Sequence, residues 1–523
     1  SRARSGAWSC AVTALVAGAV APTPAPAGSA AFGLRIFTGL LGVLLAVLVS
    51  GFNENVTKVA MPDIRGAMGI GYDESTWLLA VYSATSISAM AFAPWCAATF
   101  SLRRFTLCAI GAFLLLGILC PLAPNVDVLM LLRTLQGFAG GALPPMLMSV
   151  ALRFLPPGIR LYGLGSYALT ATFGPSFGTP LSAWWVEYAG WQWAFWQIIP
   201  LGLLSMACVA WGLPQDPLRL ERFKQFDWRG LLLGLPGLIM LVLALELGQR
   251  LNWFESPMIR FFIVAGSTLM VLFFINEWSH PLPFFKLQLL KIRNLSHALL
   301  TLGGVLFVLL AVIKIPSSYL AQIQGYRPLE TAPVMLMVAL PQLIALPLVV
   351  AVCNLRWVDC RWVLAIGLGL LALACGIGSQ VTSQWSRENF YGLQAIQIIA
   401  QPMAVIPLLM LATGGLNPAD GPFASAWFNT VKGFSAVAAS SVLGVLTLNR
   451  EHYHSTMLLD RLGNSPLVST GTDLARRVHQ QAVVLTSSDL YLYMAVLALF
   501  LIVLIPFGPT RIYAPGTPVG VVK

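Results

Sequence analysis

Charged residues are scarce in this sequence. Only 10% of its 523 residues are Asp, Glu, Lys or Arg, whereas soluble proteins contain about 25%. A chain that is 57% hydrophobic lacks the polar surface that a water-soluble fold needs, which excludes an ordinary soluble domain. The mean hydropathy of +0.78 and the 16 Trp and 28 Phe residues favour a lipid bilayer, where aromatic side chains prefer the interfaces.

Metal-binding and catalytic motifs are also lacking. The 8 Cys residues are scattered, and no Cys-x-x-Cys or Cys/His spacing occurs, so we expect free thiols and no zinc. The polar segment 449–488 contains His452 and His454, but this spacing places them on different faces of a helix, and we interpret the segment as a solvated loop. A membrane-embedded enzyme would need a clustered nucleophile or a His/Asp pair, and the sequence shows neither.

The net charge of +11 would favour nucleic acid in a soluble protein. Here the basic residues lie mostly in short loops between apolar runs, so we interpret them as a topological signal and expect no nucleic-acid partner.

Fourteen apolar runs approach the length of about 20 residues that a membrane-spanning helix needs. They lie near 34–56, 75–98, 105–123, 126–150, 161–185, 192–213, 229–247, 258–277, 296–322, 331–353, 362–380, 391–414, 422–448 and 489–507. Pro and Gly within them are compatible with spanning helices, because neighbouring helices satisfy the freed backbone groups. The sequence therefore predicts an all-α polytopic membrane protein.

Basic residues predict the orientation. Eighteen Lys and Arg lie in the amino-terminal tail, the carboxyl-terminal tail and the loops on their side of the bilayer, whereas the short loops of the other side hold only Arg65, Arg250, Arg327 and Arg387. Cytoplasmic loops carry the excess of basic residues, so we expect both termini in the cytoplasm and the chain in the inner membrane.

The spans divide the chain into five parts. We predict an Ala/Pro-rich tail at 1–33, interpreted as disordered although it superficially resembles a signal peptide, and a cytoplasmic tail at 511–523. Six-helix bundles at 34–213 and 286–510 flank two extra helices at 214–285, which we place at the periphery.

Several motifs in order resemble the major facilitator superfamily, in particular its fourteen-helix drug:proton antiporter branch of the EmrB/QacA type. The fourth span reads Arg133-Thr134-Leu135-Gln136-Gly137, similar to the Arg-x-x-Gln-Gly motif of the family. An intramembrane Arg is costly and is normally functional or paired. The resemblance implies that Arg133 takes part in proton coupling, and the alternative is an Arg that bonds backbone carbonyls and holds the bundle together.

The fifth span contains Gly174, Pro175 and Gly178, which resemble the Gly-Pro-x-x-Gly antiporter motif, with Thr179 in place of the usual second Gly. Small residues allow close helix approach and Pro bends a helix. The segment from Asp227 to Trp253 resembles the extra helix pair of the fourteen-helix branch, and Asn429 and Lys432 lie where the family has an Asn followed by a basic residue. The implied architecture is the major facilitator fold with 14 transmembrane helices.

The sequence departs from the family at the end of the first span. At the position where the family usually has a proton-carrying Asp, this sequence has Asn53, which cannot ionise. The neighbouring Glu54 is one replacement, and its spacing to Lys58 also permits an ordinary salt bridge, so both interpretations stay open. The segment from Pro94 to Arg104 keeps two Arg residues but has Ala98 where the gating loop of the family has an acid, which puts that gating role in doubt.

The resemblance implies efflux of small amphipathic or toxic compounds by alternating access, driven by the proton gradient, with no cofactor. Alternatives are a dedicated exporter of one metabolite or siderophore, and a non-transporting scaffold or sensor. Some family members work with a periplasmic adaptor and an outer-membrane channel, which segment 449–488 could contact.

Other intramembrane ionisable residues are Glu246, expected to snorkel to the interface, and Lys314. Candidate cavity residues are Gln136, Trp77, Gln322, Asn429 and Lys432, with Gln342, Gln397 and Gln401 as further polar candidates.

Overall fold

A computed structural model describes residues 33–417, 420–462 and 471–512, so the predicted tails lie almost wholly outside the described residues. The described chain is helical throughout and contains no strand. The amino-terminal half comprises α1 (Leu34–Met68), α2 (Tyr72–Phe100), α3 (Leu102–Leu119), α4 (Val126–Gly141), α5 (Leu143–Phe154), α6 (Pro157–Tyr188), α7 (Trp191–Trp196) and α8 (Ile198–Gly212). These elements form six spans because α4 continues into α5, and α7 into α8.

Two helices follow, α9 (Trp228–Gly248) and α10 (Pro257–Ser279). The carboxyl-terminal half comprises α11 (Arg293–Ile323), α12 (Pro328–Cys353), α13 (Cys360–Gly378), α14 (Arg387–Thr413), α15 (Gly421–Leu462) and α16 (Gly471–Leu504). We call the side of the bundle on which α1 begins the terminal face, and the other side the opposite face.

Thirteen of the described helical segments are long and apolar enough to cross a membrane. The remaining predicted span, 161–185, corresponds to α6, a helix of 32 residues. The mean hydropathy of α6 is lower than that of the other spans because Gly, Ser, Thr and Pro replace large apolar residues along it. The polar composition reflects its position, since α6 packs against α1 and α12 within the bundle.

Small residues set the packing inside the amino-terminal half. The pair Gly39 and Gly212 brings the backbones of α1 and α8 together, and the Ser205 hydroxyl donates to the Gly42 carbonyl at 2.7 Å. Close backbone approach of this kind is how helices associate in lipid, where burial of apolar surface gives no preference for protein over acyl chains.

The two halves meet mainly through α6 with α12 and α2 with α15, and also through α5 with α15 and α6 with α14. Toward the terminal face these contacts are close: a Cβ on Gly165 would lie 2.6 Å from Val350, and the Ser425 hydroxyl donates to the Pro145 carbonyl at 3.1 Å. The halves are therefore sealed against each other on the side of the terminal face.

The sequence predicted that both extra helices are peripheral; this holds for α10, which packs mainly on α9, but not for α9. Helix α9 packs against both α2 and α15, one from each half. The Arg250 guanidinium that follows α9 lies 2.5 Å from Asp73 at the start of α2, and the Ser441 hydroxyl of α15 donates to the Leu245 carbonyl at 2.8 Å. Helix α9 therefore bridges the two halves near the opposite face.

The predicted loop 449–488 is wrong for its described residues, because α15 continues to Leu462 and α16 starts at Gly471. Polar side chains join the two helices: Arg450 and His454 both contact Asp489, the latter at 2.8 Å, and His479 lies 3.1 Å from Glu451. At about 1.5 Å per residue, the 42 residues of α15 span about 63 Å, about twice the hydrocarbon core. The helices therefore project well beyond the opposite face.

The segment from Pro94 to Arg104 is also not a loop. Apolar residues continue α2 to Phe100, α3 starts at Leu102, and only Ser101 separates the two helices. Its φ of 75° reverses the chain direction in a single residue, a conformation that non-glycine residues rarely adopt.

Candidate functional site

Arg133 occupies a closed pocket at the centre of the amino-terminal half. Its side chain is 0% exposed, and it donates to the Gln136 side-chain oxygen at 2.8 Å and to the Thr57 hydroxyl of α1 at 2.6 Å. The Tyr82 ring lies 4.0 Å from the guanidinium carbon. Among the described residues no carboxylate forms an ion pair with Arg133. A cation is thus held by neutral acceptors and a π face, which links α1, α2 and α4.

Asn53 is 0% exposed and lies beside Tyr82. Its amide lies within hydrogen-bonding reach of the Tyr82 hydroxyl. Asn53 therefore borders the Arg133 pocket and offers it only a neutral amide.

The Gly174-Pro175-x-x-Gly178 segment of α6 crosses α1 next to Asn53. A Cβ on Gly178 would lie 3.1 Å from the Phe52 Cα, whereas a Cβ on Gly174 would meet nothing within 4 Å. Phe173 and Phe177 stack at 5.0 Å and both contact the Phe52 ring. The predicted close packing is therefore present at Gly178 and absent at Gly174.

Glu54 and Lys58 form the ion pair that their spacing permits, at 3.3 Å, and both side chains are 50% exposed. Lys58 is also in electrostatic range of Arg133 and of Glu246 on α9. The pair lies on the solvent-exposed side of α1, while Asn53 and Thr57 point into the buried pocket.

The predicted cavity residues separate into buried and open positions. Gln136 is part of the closed Arg133 pocket, and Trp77 is half-buried in the apolar cluster of α2, α9, α10 and α15. Asn429 is also buried: it accepts from the Tyr167 hydroxyl at 2.8 Å, which joins α15 to α6. Lys432 lies 4.7 Å from the Tyr167 ring and in electrostatic range of Glu54.

Lys314, Ser318 and Gln322 form an exposed polar stripe on α11, spaced four residues apart, and they line a pocket with residues of α15 and α16. The Lys314 ammonium donates to the Ser440 hydroxyl at 2.5 Å and is in electrostatic range of Lys58 on the opposite half. Because ionisable side chains from both halves face one another here and are exposed, the space between the halves opens toward the opposite face.

Sequence reasoning missed Tyr82, Thr57 and Tyr167 as partners of the buried polar groups, because aromatic and hydroxyl side chains in an apolar run carry no signal of what they contact. It also misplaced Gln342, Gln397 and Gln401. These are at most 2% exposed and form a hydrogen-bonded cluster inside the carboxyl-terminal half, with Gln342 donating to Gln401 at 2.6 Å. Among the described residues, no group of three potential metal ligands comes together.

Comparison with known proteins supports the same architecture. The family model described as Major Facilitator Superfamily matches residues 43–358. The probable multidrug resistance protein EmrY of Escherichia coli is 24% identical over 94% of this chain and 98% of its own length. The multidrug export protein EmrB of Haemophilus influenzae is 22% identical over 90% and 96%. The fatty acid resistance protein FarB of Neisseria gonorrhoeae is 26% identical over 85% and 86%.

Solved structures confirm the fold. The proton:xylose symporter XylE superposes with a TM-score of 0.56 at 13% identity, covering 91% of this chain and 96% of that protein. The human organic anion transporter MFSD10 gives the same TM-score of 0.56 at 13% identity, over 89% and 99%.

Proposed function

Because this chain belongs to the Major Facilitator Superfamily, we propose that it exports small amphipathic or toxic compounds by proton-driven alternating access. The observation that carries the proposal is the opening between two six-helix halves, sealed toward the terminal face and lined by ionisable side chains of both halves. Relatives named for multidrug export and fatty acid resistance match this chain along most of its length.

The proposed cycle gives different roles to the cavity between the halves and to the packed helices of the amino-terminal half. Rocking of the halves exposes the cavity to one side of the membrane at a time. A proton shifts the balance between the two states only through its differential affinity for them, so an acid of the opening must change its surroundings between the states. Arg133 would hold α1, α2 and α4 as one unit while this happens, and Gly178 would let α6 pivot on α1.

The orientation is part of the proposal. The excess of basic residues on the terminal face places that face in the cytoplasm and both termini with it, in the inner membrane of the cell. The structure would then correspond to the outward-open state, from which substrate leaves and into which protons enter.

The test is flux in proteoliposomes that contain the purified full chain, with ethidium and a fluorescent fatty-acid analogue as probes. We expect transport of at least one probe to accelerate when a pH gradient is imposed, and to stop when the gradient is collapsed. Flux that ignores the gradient would exclude proton drive. No flux of either probe, combined with hypersensitivity of a deletion strain to one compound only, would favour a dedicated metabolite or siderophore exporter, and no phenotype at all would favour a scaffold or sensor.

We further propose that the projecting ends of α15 and α16 contact a periplasmic adaptor, which in turn engages an outer-membrane channel. Support comes from the length by which α15 exceeds the membrane and from the exposed apolar side chains Tyr453, Met457 and Leu459 near its end. Replacing residues 455–482 by a short Gly/Ser linker should abolish export from cells while leaving flux in proteoliposomes intact. Unchanged export would exclude the adaptor contact.

A further inference from the structure

Glu246 belongs to neither six-helix half. It lies two residues before the end of α9, is half-buried, and sits between Leu245 and Leu247, which pack into the apolar cluster of α2, α9, α10 and α15. The backbone around it is fixed from both sides, by the Arg250–Asp73 ion pair and by the hydrogen bond from Ser441 to the Leu245 carbonyl. Its carboxylate therefore has a defined position at the seam between the halves.

The groups that face Glu246 come from three other helices. Lys58 and Glu54 of α1 and Lys314 of α11 lie in electrostatic range, and the Ser83 hydroxyl of α2 lies beside the carboxylate. None of the described basic groups comes within ion-pair distance of it. Glu246 is thus the shared counter-charge of two lysines that belong to opposite halves.

Glu54 differs in having a direct partner and in its greater exposure. It has a direct partner in Lys58 at 3.3 Å, on the same helix, and both are half exposed. Protonating Glu54 would first break a solvated pair within one half, although Glu54 is also in electrostatic range of Lys432 on α15. Protonating Glu246 would remove the negative charge that separates Lys58 from Lys314.

Resting on the proposed proton-driven export, we propose that Glu246 of α9 is the carboxylate that binds and releases the driving proton. A proton from the opposite-face solution adds to one carboxylate oxygen and gives the neutral acid. Lys58 and Lys314 then face each other without a shared counter-charge, and their repulsion destabilises the present arrangement of the halves. In the other state the proton returns to water on the terminal face, which restores the carboxylate.

The experiment compares the wild-type chain with E246Q, E54Q, E246D and the control E255Q, all in proteoliposomes. Glu255 is an exposed acid in the turn after α9, so E255Q makes the same chemical change away from the seam. Two readouts are recorded: the C=O stretch of a protonating carboxyl in pH-difference infrared spectra without substrate, and ethidium flux under an imposed pH gradient. Thermal unfolding of each variant monitors its folding.

We expect the wild type, E255Q and E246D to show the carboxyl band. E246Q should lose both the band and the stimulation of flux by the gradient, and E54Q should keep the band. A band that survives in E246Q, or that disappears in E54Q alone, would overturn the assignment to Glu246. Wild-type flux that ignores the gradient would instead overturn the proposed function, so the two failures are distinguishable.

Discussion

The fourth span of each half carries a buried polar cluster, and the two clusters differ in charge. In the amino-terminal half, Arg133 of α4 is held by Thr57, Gln136 and the ring of Tyr82. In the carboxyl-terminal half, Gln397 and Gln401 of α14 join Gln342 of α12, and every member is a neutral amide. The comparison indicates that the amino-terminal cluster holds a permanent charge, whereas the matching carboxyl-terminal cluster holds only dipoles.

The difference in charge between the two clusters affects the free energy that a substitution in each of them costs. An amide pair gains little net free energy from its hydrogen bond, and replacing both partners by apolar groups can be nearly neutral. A buried cation without a carboxylate depends on every acceptor around it, because its desolvation is costly. The amino-terminal cluster should therefore tolerate change much less than the carboxyl-terminal one.

The largest effect is expected for Arg133→Met. Two hydrogen bonds to a charged donor are lost, each worth about 1.5–3 kcal/mol, so the free energy of unfolding in detergent should fall by about 3–6 kcal/mol. Ethidium flux should be abolished. Arg260→Met, an exposed position on α10, is the control and should change neither quantity. Normal flux in Arg133→Met would break the comparison by showing that the buried charge is dispensable.

The next effect concerns the packing of α6 beside the charged cluster. Gly178→Ala places a methyl group 3.1 Å from the backbone of Phe52, so we expect a loss of about 1–3 kcal/mol and slower flux. Gly174→Ala is the matched control, since its methyl group meets nothing within 4 Å. In a helix that change should be neutral or stabilising by up to about 1 kcal/mol. Equal effects at the two positions would contradict the assigned crossing.

The neutral cluster is tested by a double-mutant cycle. Gln342→Leu leaves the Gln401 amide oxygen without its donor, and Gln401→Leu leaves Gln342 and Gln397 without their partner, so each should cost about 1–2 kcal/mol in the free energy of unfolding. The double variant removes both ends of the Gln342–Gln401 bond, so it should recover the part of this loss that belongs to that bond and should retain flux. If the double variant instead loses as much as Arg133→Met, the two halves do not differ as proposed.

The smallest effect is expected at the solvated pair of α1. Glu54→Gln or Lys58→Met should change the free energy of unfolding by less than about 1 kcal/mol, and the difference should shrink further as salt is added. A loss comparable to that of Arg133→Met would show that the pair is part of the buried cluster.

Most of the fold could be predicted from the sequence. Runs of apolar residues identified the spans, because each must match the thickness of the hydrocarbon core. The exception was α6, whose small and polar residues give a weak hydropathy signal. Its span was nevertheless predicted, as the apolar run at 161–185. The described residues of segment 449–488 were wrongly predicted as a loop, since a helix exposed to water needs no apolar run, and the polar pairs that join α15 to α16 are remote in sequence.

The candidate site could be predicted only in part. Arg133, Glu54 and Gly178 stood out, because a charge or a motif within an apolar run is conspicuous at any depth. Their partners did not, because Thr57, Tyr82 and Phe52 are ordinary residues of spanning helices. Glu246 was identified only as an ionisable residue near the end of a span, because nothing in the sequence shows that α9 is inserted between α2 and α15.

The sequence by itself thus determined how many helices form, in what order, and which side carries the basic loops, since hydropathy and charge act locally against the bilayer. Only the tertiary structure decided which polar side chains are buried and which are exposed to solvent. Asn53 and Glu54 are neighbours in the chain, yet one is fully buried and the other half exposed. That outcome depends on the helices packed around them, because consecutive residues of a helix point about 100° apart.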